Sequence, residues 1–121
     1  PILRRHLHTH GGNIILYQIE NEDWWSDVPY ALRLLAMVRE DGIDVPITVN
    51  ENPGVRGTEI IDTFDDYPMP WQPNQPYMFV PEGVEYKLEK LKRTQPDKPM
   101  MFAEFETGWF TMFGEDAPSW A

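Results

Sequence analysis

Four short β-rich runs, separated by stretches with helical spacing, constrain the fold of this chain more than any other feature. In the first, Ile14 to Glu22, Tyr17 and Ile19 alternate with Gln18, Glu20 and Glu22 at a period of two. Val45 to Asn50 is the second run and Ile60 to Tyr67 the third; Met100 to Phe105, an apolar run that reaches Ala103-Glu104, is the fourth. Asp27 to Asp41 reads as an amphipathic helix. Asp27 suits an N-cap, Pro29 suits a first turn, Leu32, Leu35, Ala36 and Val38 form a stripe, and Gly42 stops it. A second helix is predicted within Pro81 to Thr94, over Val84 to Arg93, with Val84, Leu88 and Leu91 on one side. In Pro1 to His10, Ile2, Leu3 and Leu7 are spaced for one helical face, and Gly11-Gly12 would end that helix. Asn52-Pro53-Gly54 is turn chemistry, and the five prolines and Trp71 between Pro68 and Pro81 predict a long ordered loop or a lid. The order is αβαβ(loop)βαβ, roughly one strand per 20–40 residues, which implies an α/β fold with a parallel sheet and crossover helices. There is no internal repeat and no low-complexity tract.

Charge narrows the partners. With 20 Asp and Glu against 10 Lys and Arg, the net charge of -10 argues against nucleic acid and anionic membranes, which require basic patches. There is no cysteine, hence no disulfide framework and no thiolate metal site. No apolar run approaches the ~20 residues of a membrane span. The start, Pro1-Ile2-Leu3-Arg4-Arg5, has neither an initiator Met nor the look of a signal peptide, and reads as an internal segment or a processed product.

The predicted strands lead to Glu22, Asn50, Tyr67 and Glu104. In α/β barrels, ligands bind at the C-terminal ends of the strands. A single Glu at a strand end is ordinarily just solvated. Three polar residues of one parity, Gln18, Glu20 and Glu22, would be costly beside a dry core and instead suit a wet pocket. Two glutamates at the same end of different strands are what hydrolysis of a glycosidic bond requires. One carboxylic acid protonates the leaving oxygen while the other attacks the anomeric carbon from the opposite face. In retaining enzymes the carboxyls are ~5–5.5 Å apart. At that separation two charges repel by about 3 kcal/mol at an effective dielectric of ~20, enough to keep one of a pair protonated near neutral pH. Once the nucleophile is esterified its charge is gone, and the same acid can serve as the base for water.

Two blocks make the resemblance specific. Gly11-Gly12-Asn13-Ile14-Ile15-Leu16-Tyr17-Gln18-Ile19-Glu20-Asn21-Glu22 resembles the signature of glycoside hydrolase family 35, the β-galactosidases, written Gly-Gly-Pro-Ile-Ile and then Gln-Val-Glu-Asn-Glu. Met101-Phe102-Ala103-Glu104-Phe105-Glu106-Thr107-Gly108-Trp109-Phe110 resembles that family's nucleophile segment, whose core is Glu-Phe-aromatic-x-Gly-Trp. The resemblance implies that Glu22 is the acid/base and Glu104, 82 positions on, the nucleophile. It implies that Asn21 hydrogen-bonds the sugar 2-hydroxyl, a contact that strengthens in the transition state. Glu20, Trp109, Tyr67 and Glu106 complete the expected substrate-binding set, with Glu20 and Gln18 mainly holding the pocket's hydrogen-bond network. Two positions depart from the pattern. Asn13 replaces the usual proline, and Glu106 stands where the family commonly has Tyr or Trp, adding negative charge near Glu104.

The segment order resembles barrel strands four to seven, so residues 1–121 are expected to be a single segment of a (β/α)8 TIM barrel, about half of one, since a whole barrel takes ~250 residues. The early-strand block that grips the galactose hydroxyls and the eighth strand are not in this sequence, so the implied partners are a β-galactoside or related saccharide and the remainder of the barrel. The implied reaction is retaining hydrolysis of terminal β-D-galactosides, without cofactor, and little or no activity is expected of these residues alone. The alternatives are another β-glycosidase of the same barrel clan and a non-catalytic carbohydrate-binding or interaction fragment. Family analogy permits secreted, periplasmic, lysosomal or cytoplasmic settings. Among the remaining aromatics, Trp24, Trp25 and Trp120 read as packing residues, and Trp71 is the best free candidate for stacking on a sugar. His6 and His10 share a predicted helix face, but read as solvated rather than as metal ligands. Asp65-Asp66 lacks the ligand spacing of a Ca²⁺ or Mg²⁺ loop, so no metal is expected.

Overall fold

The computed structural model describes residues 2–23, 27–66, 81–105, 108–109 and 119–120. Four strands, β1 (Tyr17–Glu20), β2 (Ile47–Asn50), β3 (Ile61–Asp66) and β4 (Phe102–Phe105), form one parallel sheet in the order β1-β2-β3-β4. Helix α1 (Val28–Glu40) crosses from β1 to β2, and α2 (Pro81–Thr94) lies between β3 and β4. The arrangement is a half-barrel, part of a (β/α)8 architecture, as the alternation of strand and helix patterns implies. The link from β2 to β3 is too short for a helix and holds a single 310 turn, Pro53–Val55, capped by Asn52. Two short strands, β5 (Gly108–Trp109) and β6 (Ser119–Trp120), pair antiparallel.

Local chemistry explains the boundaries. The Asp27 carboxylate accepts the Tyr30 N–H at 3.0 Å, which caps α1, and Pro29 occupies the first turn, where no N–H is needed. Gly42 then takes φ 81°, a left-handed conformation that ends the helix. The N-terminal stretch departs from the helix that its apolar spacing predicts. It forms two 310 turns, Arg4–His6 and His8–His10, broken at Leu7, which is extended (φ -70°, ψ 144°) and bridges Ile14 in parallel. Burial decides this: Leu7 is fully enclosed, whereas Ile2 is 79% exposed, so the three residues never share a covered face. The loop folds back so tightly that a Cβ on Gly12 would lie 2.1 Å from the His6 carbonyl carbon, so only glycine fits there.

The core lies on the helix side of the sheet. Ile47, Val49 and Ile60 pack with Leu7, Ala31, Ile43, Val45 and Val55, and Leu35 and Val38 of α1 close over them. Each such aliphatic side chain contributes about 1.5–3 kcal/mol by leaving water. The opposite face is mainly polar, with Ile61 beside Thr48 as its apolar member. Register partners in a parallel sheet share a face, so Gln18, Thr48, Asn50 and Thr63 line one side, followed by Asp65, which hydrogen-bonds Asn50.

A second buried polar group joins the sheet to the end of α2. Asp62, fully enclosed, accepts the Asn52 N–H at 2.8 Å and the Arg56 Nε–H at 2.6 Å. Gln95 donates its amide to the Asp62 carbonyl at 2.7 Å and accepts the Asp62 N–H at 3.1 Å. Pairing to β4 begins only at Phe64, so the glutamine side chain satisfies the strand where no neighbouring backbone does.

Candidate active site

The candidate residues gather at the C-terminal ends of the four parallel strands. Asn21 and Glu22 follow β1, Asn50 ends β2, Asp65 lies near the end of β3, and Glu104 lies in β4 as the register partner of Asp65. Glu22 has φ 51°, and Glu51, just past β2, has φ 54°. Left-handed backbone at a non-glycine costs roughly 1–2 kcal/mol and is tolerated where surrounding structure enforces it. The enforcement is visible here. The Asp23 N–H donates to the Asn50 carbonyl at 3.3 Å, and the Asn52 amide donates to the Asp23 carboxylate at 2.5 Å. The chain leaving β1 is thus fastened to the β2–β3 link.

Asp65 is the hub. It is 4% exposed, its Oδ1 accepts the Glu104 N–H at 3.1 Å, and its Oδ2 accepts from the Asn50 amide at 2.6 Å. Its carbonyl accepts from Lys87 of α2 at 2.6 Å. Burial pushes its carboxyl above the usual range. The Asn50 and Glu104 N–H donors oppose that shift, the Glu22 charge adds to it, and Lys87 opposes it. Glu22 is therefore near enough to act electrostatically on a residue bonded to the Glu104 backbone. Glu22, after the edge strand β1, and Glu104, in the other edge strand β4, thus both act on Asp65, the first through its charge and the second through its backbone N–H.

Asn21 is held by its oxygen. Gln18 Nε2 donates to Asn21 Oδ1 at 2.8 Å, and Asn50 Nδ2 lies 3.4 Å from the same atom. Its own amide N–H groups have no partner among the described residues, so they are available to an incoming hydroxyl. Glu20 is engaged on both oxygens: Oε1 accepts the Asn21 N–H at 3.0 Å and Oε2 accepts the Tyr30 hydroxyl at 2.9 Å. The hydrogen bond from Tyr30 to Glu20, with the Glu20 charge, raises the phenol above its ordinary value. The expected parity of Gln18, Glu20 and Glu22 is interrupted by a register shift between Gln18 and Glu20, which lets Glu20 reach α1 instead of lining up behind Gln18.

Of the other predicted residues, Trp109 is described as backbone in β5, opposite Ser119, and Tyr67 and Glu106 lie outside the described residues, as do Trp24, Trp25 and Trp71. His10 faces Asp44 at 3.3 Å, and the Arg5 Nε–H donates to His6 at 3.1 Å. Sequence reasoning weighed Asp65 only as a cation ligand and Asn50 only as a strand end. The signal that would have found them is parity: Asn50, Thr63 and Asp65 continue the polar face that Gln18 begins.

The chain is 29% identical to probable beta-galactosidase B of Pyrenophora tritici-repentis, over 91% of this chain and 14% of that protein. It is 31% identical to probable beta-galactosidase B of Talaromyces marneffei, over 88% of this chain and 14% of that protein. It is 29% identical to beta-galactosidase 17 of Arabidopsis thaliana, over 90% of this chain and 16% of that protein. The chain therefore spans less than a fifth of the length of these relatives. The family model for glycosyl hydrolases family 35 matches residues 1–120, and the chain belongs to that family.

Proposed function

We propose that this segment carries both catalytic carboxylates of a retaining β-galactosidase, and that it works within a longer polypeptide supplying the rest of the barrel and of the sugar pocket. The observation that carries the reading is that Glu22 and Glu104 stand at the same, C-terminal, end of one parallel sheet, with the buried Asp65 bonded to the Glu104 N–H. The β-galactosidase names of the relatives support the choice of sugar.

In this reading Glu22 gives its proton to the glycosidic oxygen as the bond to the anomeric carbon breaks. Glu104 attacks that carbon from the other face and forms a glycosyl ester. Glu22, now a carboxylate, takes a proton from water as the water displaces Glu104, and the sugar leaves with its original configuration. Asn21 donates its side-chain amide N–H to a sugar hydroxyl, and Glu20 keeps the Asn21 backbone in place. The order of the segments supports a position at strands four to seven of the barrel. Trp109, Tyr67 and Glu106 complete the sugar-facing set.

The test is covalent labelling of the full-length enzyme that carries this segment. A 2-fluoro-galactoside should form a stable ester on Glu104, and Glu104→Gln should abolish the ester and reduce turnover by several orders of magnitude. Labelling at another residue, or undiminished labelling of the variant, refutes the assignment. A panel of nitrophenyl β-glycosides tests the sugar: a preference for any glycoside other than the galactoside would transfer the reading to another β-glycosidase.

A further inference from the structure

Asp65 and Asn50 belong to neither signature block, yet they connect the two. Both are buried, and their side chains meet at 2.6 Å, the closest bond in a chain of groups that runs from the Glu104 backbone to Asn21. We propose that Asp65, acting through Asn50, sets the donor–acceptor direction of an amide relay so that Asn21 presents N–H rather than carbonyl to the substrate. The inference rests on the reading above, in which Asn21 faces a sugar hydroxyl.

The physical basis is that the two ends of a side-chain amide differ chemically, while their shapes are nearly the same. An ionised carboxylate can only accept. Asp65 receives the Glu104 N–H on one oxygen, so the group facing the other oxygen must also donate, and Asn50 turns its NH2 toward it. The Thr63 hydroxyl, 3.4 Å away, faces the Asn50 carbonyl oxygen on the other side. The same Asn50 NH2 faces Asn21 Oδ1 at 3.4 Å, and Gln18 donates to that oxygen at 2.8 Å. Asn21 is therefore anchored through its acceptor, and its donor end faces outward. If Asn50 were reversed, two carbonyl oxygens would face each other across that contact, leaving Gln18 as the one described donor that opposes reversal of Asn21. Asp65 and Asn50 are thus positioning residues: they do not touch substrate, but they decide which end of Asn21 does.

The test uses the full-length enzyme and two substrates, a nitrophenyl β-galactoside and its 2-deoxy analogue, which lacks the hydroxyl assigned to Asn21. Asp65→Asn keeps the volume but lets position 65 donate, which removes the direction of the relay. Its kcat/KM on the galactoside should fall by roughly 10- to 100-fold, the scale of one lost strong hydrogen bond. On the 2-deoxy substrate the fall should be less than about threefold, because that contact is already missing. Asn50→Ala, which interrupts the relay without changing charge, should give the same substrate-selective loss. Equal losses on both substrates would mean that Asp65 only supports the fold, and no loss on either would mean that the relay has no direction; each outcome overturns the proposal. A wild-type enzyme that hydrolyses no β-glycoside would overturn the functional reading, and the relay with it. An active wild type with substrate-blind variants overturns the relay alone.

Discussion

Replacing Arg56 by Met should destabilise the fold strongly at alkaline pH and much less at acidic pH. Arg56 and Asp62 form an ion pair with side-chain exposures of 9% and 0%. Its geometry is imperfect. Nε donates to Asp62 Oδ2 at 2.6 Å, while Nη2 lies 2.5 Å from the same oxygen and makes no hydrogen bond among the described residues. Removing one partner of a buried pair costs about 3–5 kcal/mol, because the other charge is left in a poor solvent. The lower end applies here, since the Asn52 N–H still serves Asp62 and the Lys90 charge still favours its ionised form. A loss of about 3 kcal/mol is roughly a 150-fold change in the unfolding constant. A proton can replace the lost cation. Burial already lifts the Asp62 carboxyl above 3.8, against the opposing effects of Arg56, the Asn52 N–H and Lys90. The native state therefore binds this proton more readily than the unfolded chain does. The Asp62 contribution to stability falls as pH rises from about the unfolded value through the folded one. Loss of Arg56 moves the folded value further up and extends that window. Within the extension the cost of the substitution should grow by about 1.4 kcal/mol per pH unit. Denaturant unfolding of the full-length protein at pH 5 and pH 8 provides the measurement, with Arg56→Met/Asp62→Asn expected to recover most of the loss at pH 8. A cost below about 1 kcal/mol at pH 8, or an equal cost at both pH values, would refute the reasoning.

Gly12→Ala should lower stability by about 1–3 kcal/mol or more, read as a drop in melting temperature, because its methyl group would fall on the His6 backbone; Gly11→Ala meets no atom within 4 Å and carries only the strain of φ 84°. Gln95→Ala should cost about 1–3 kcal/mol in denaturant unfolding, since it strips both partners from the buried Asp62 peptide groups. Ultraviolet titration should find Tyr30 ionising above 10.0, and Glu20→Gln should bring that value down by removing the charge that the phenol faces.

The fold was legible because its strands and helices differ in period, and each helix carries its own stop signals. Asp27, Pro29 and Gly42 delimit α1 within a residue of where it runs. The family was legible because two short blocks of sequence, around Glu22 and Glu104, carry its signature. The N-terminal helix was misread for a physical reason: Ile2, Leu3 and Leu7 have the right spacing, but only Leu7 has anything to pack against, and its bridge to Ile14 requires extended backbone. Spacing along a chain says nothing of a partner seven residues away. Glu20 was misassigned to a single polar row because a register shift breaks the period of two, and no residue type announces such a shift. Asp65 and Asn50 were passed over because their importance comes from being neighbours across two strands, fifteen positions apart in sequence.

Gln95 bears on the position of Glu104 although it meets β3 near the N-terminal end of the strand, away from Asp65. By occupying the peptide groups of Asp62, its side chain denies β4 a foothold there and leaves Phe64 as the earliest place to pair. It works as a depth gauge. A β4 that slid by one residue along β3 would part Glu104 from Asp65 and turn alternate side chains to the other face. The height at which Glu104 stands in the barrel mouth is thus set by an amide bonded near the N-terminal end of the neighbouring strand, β3.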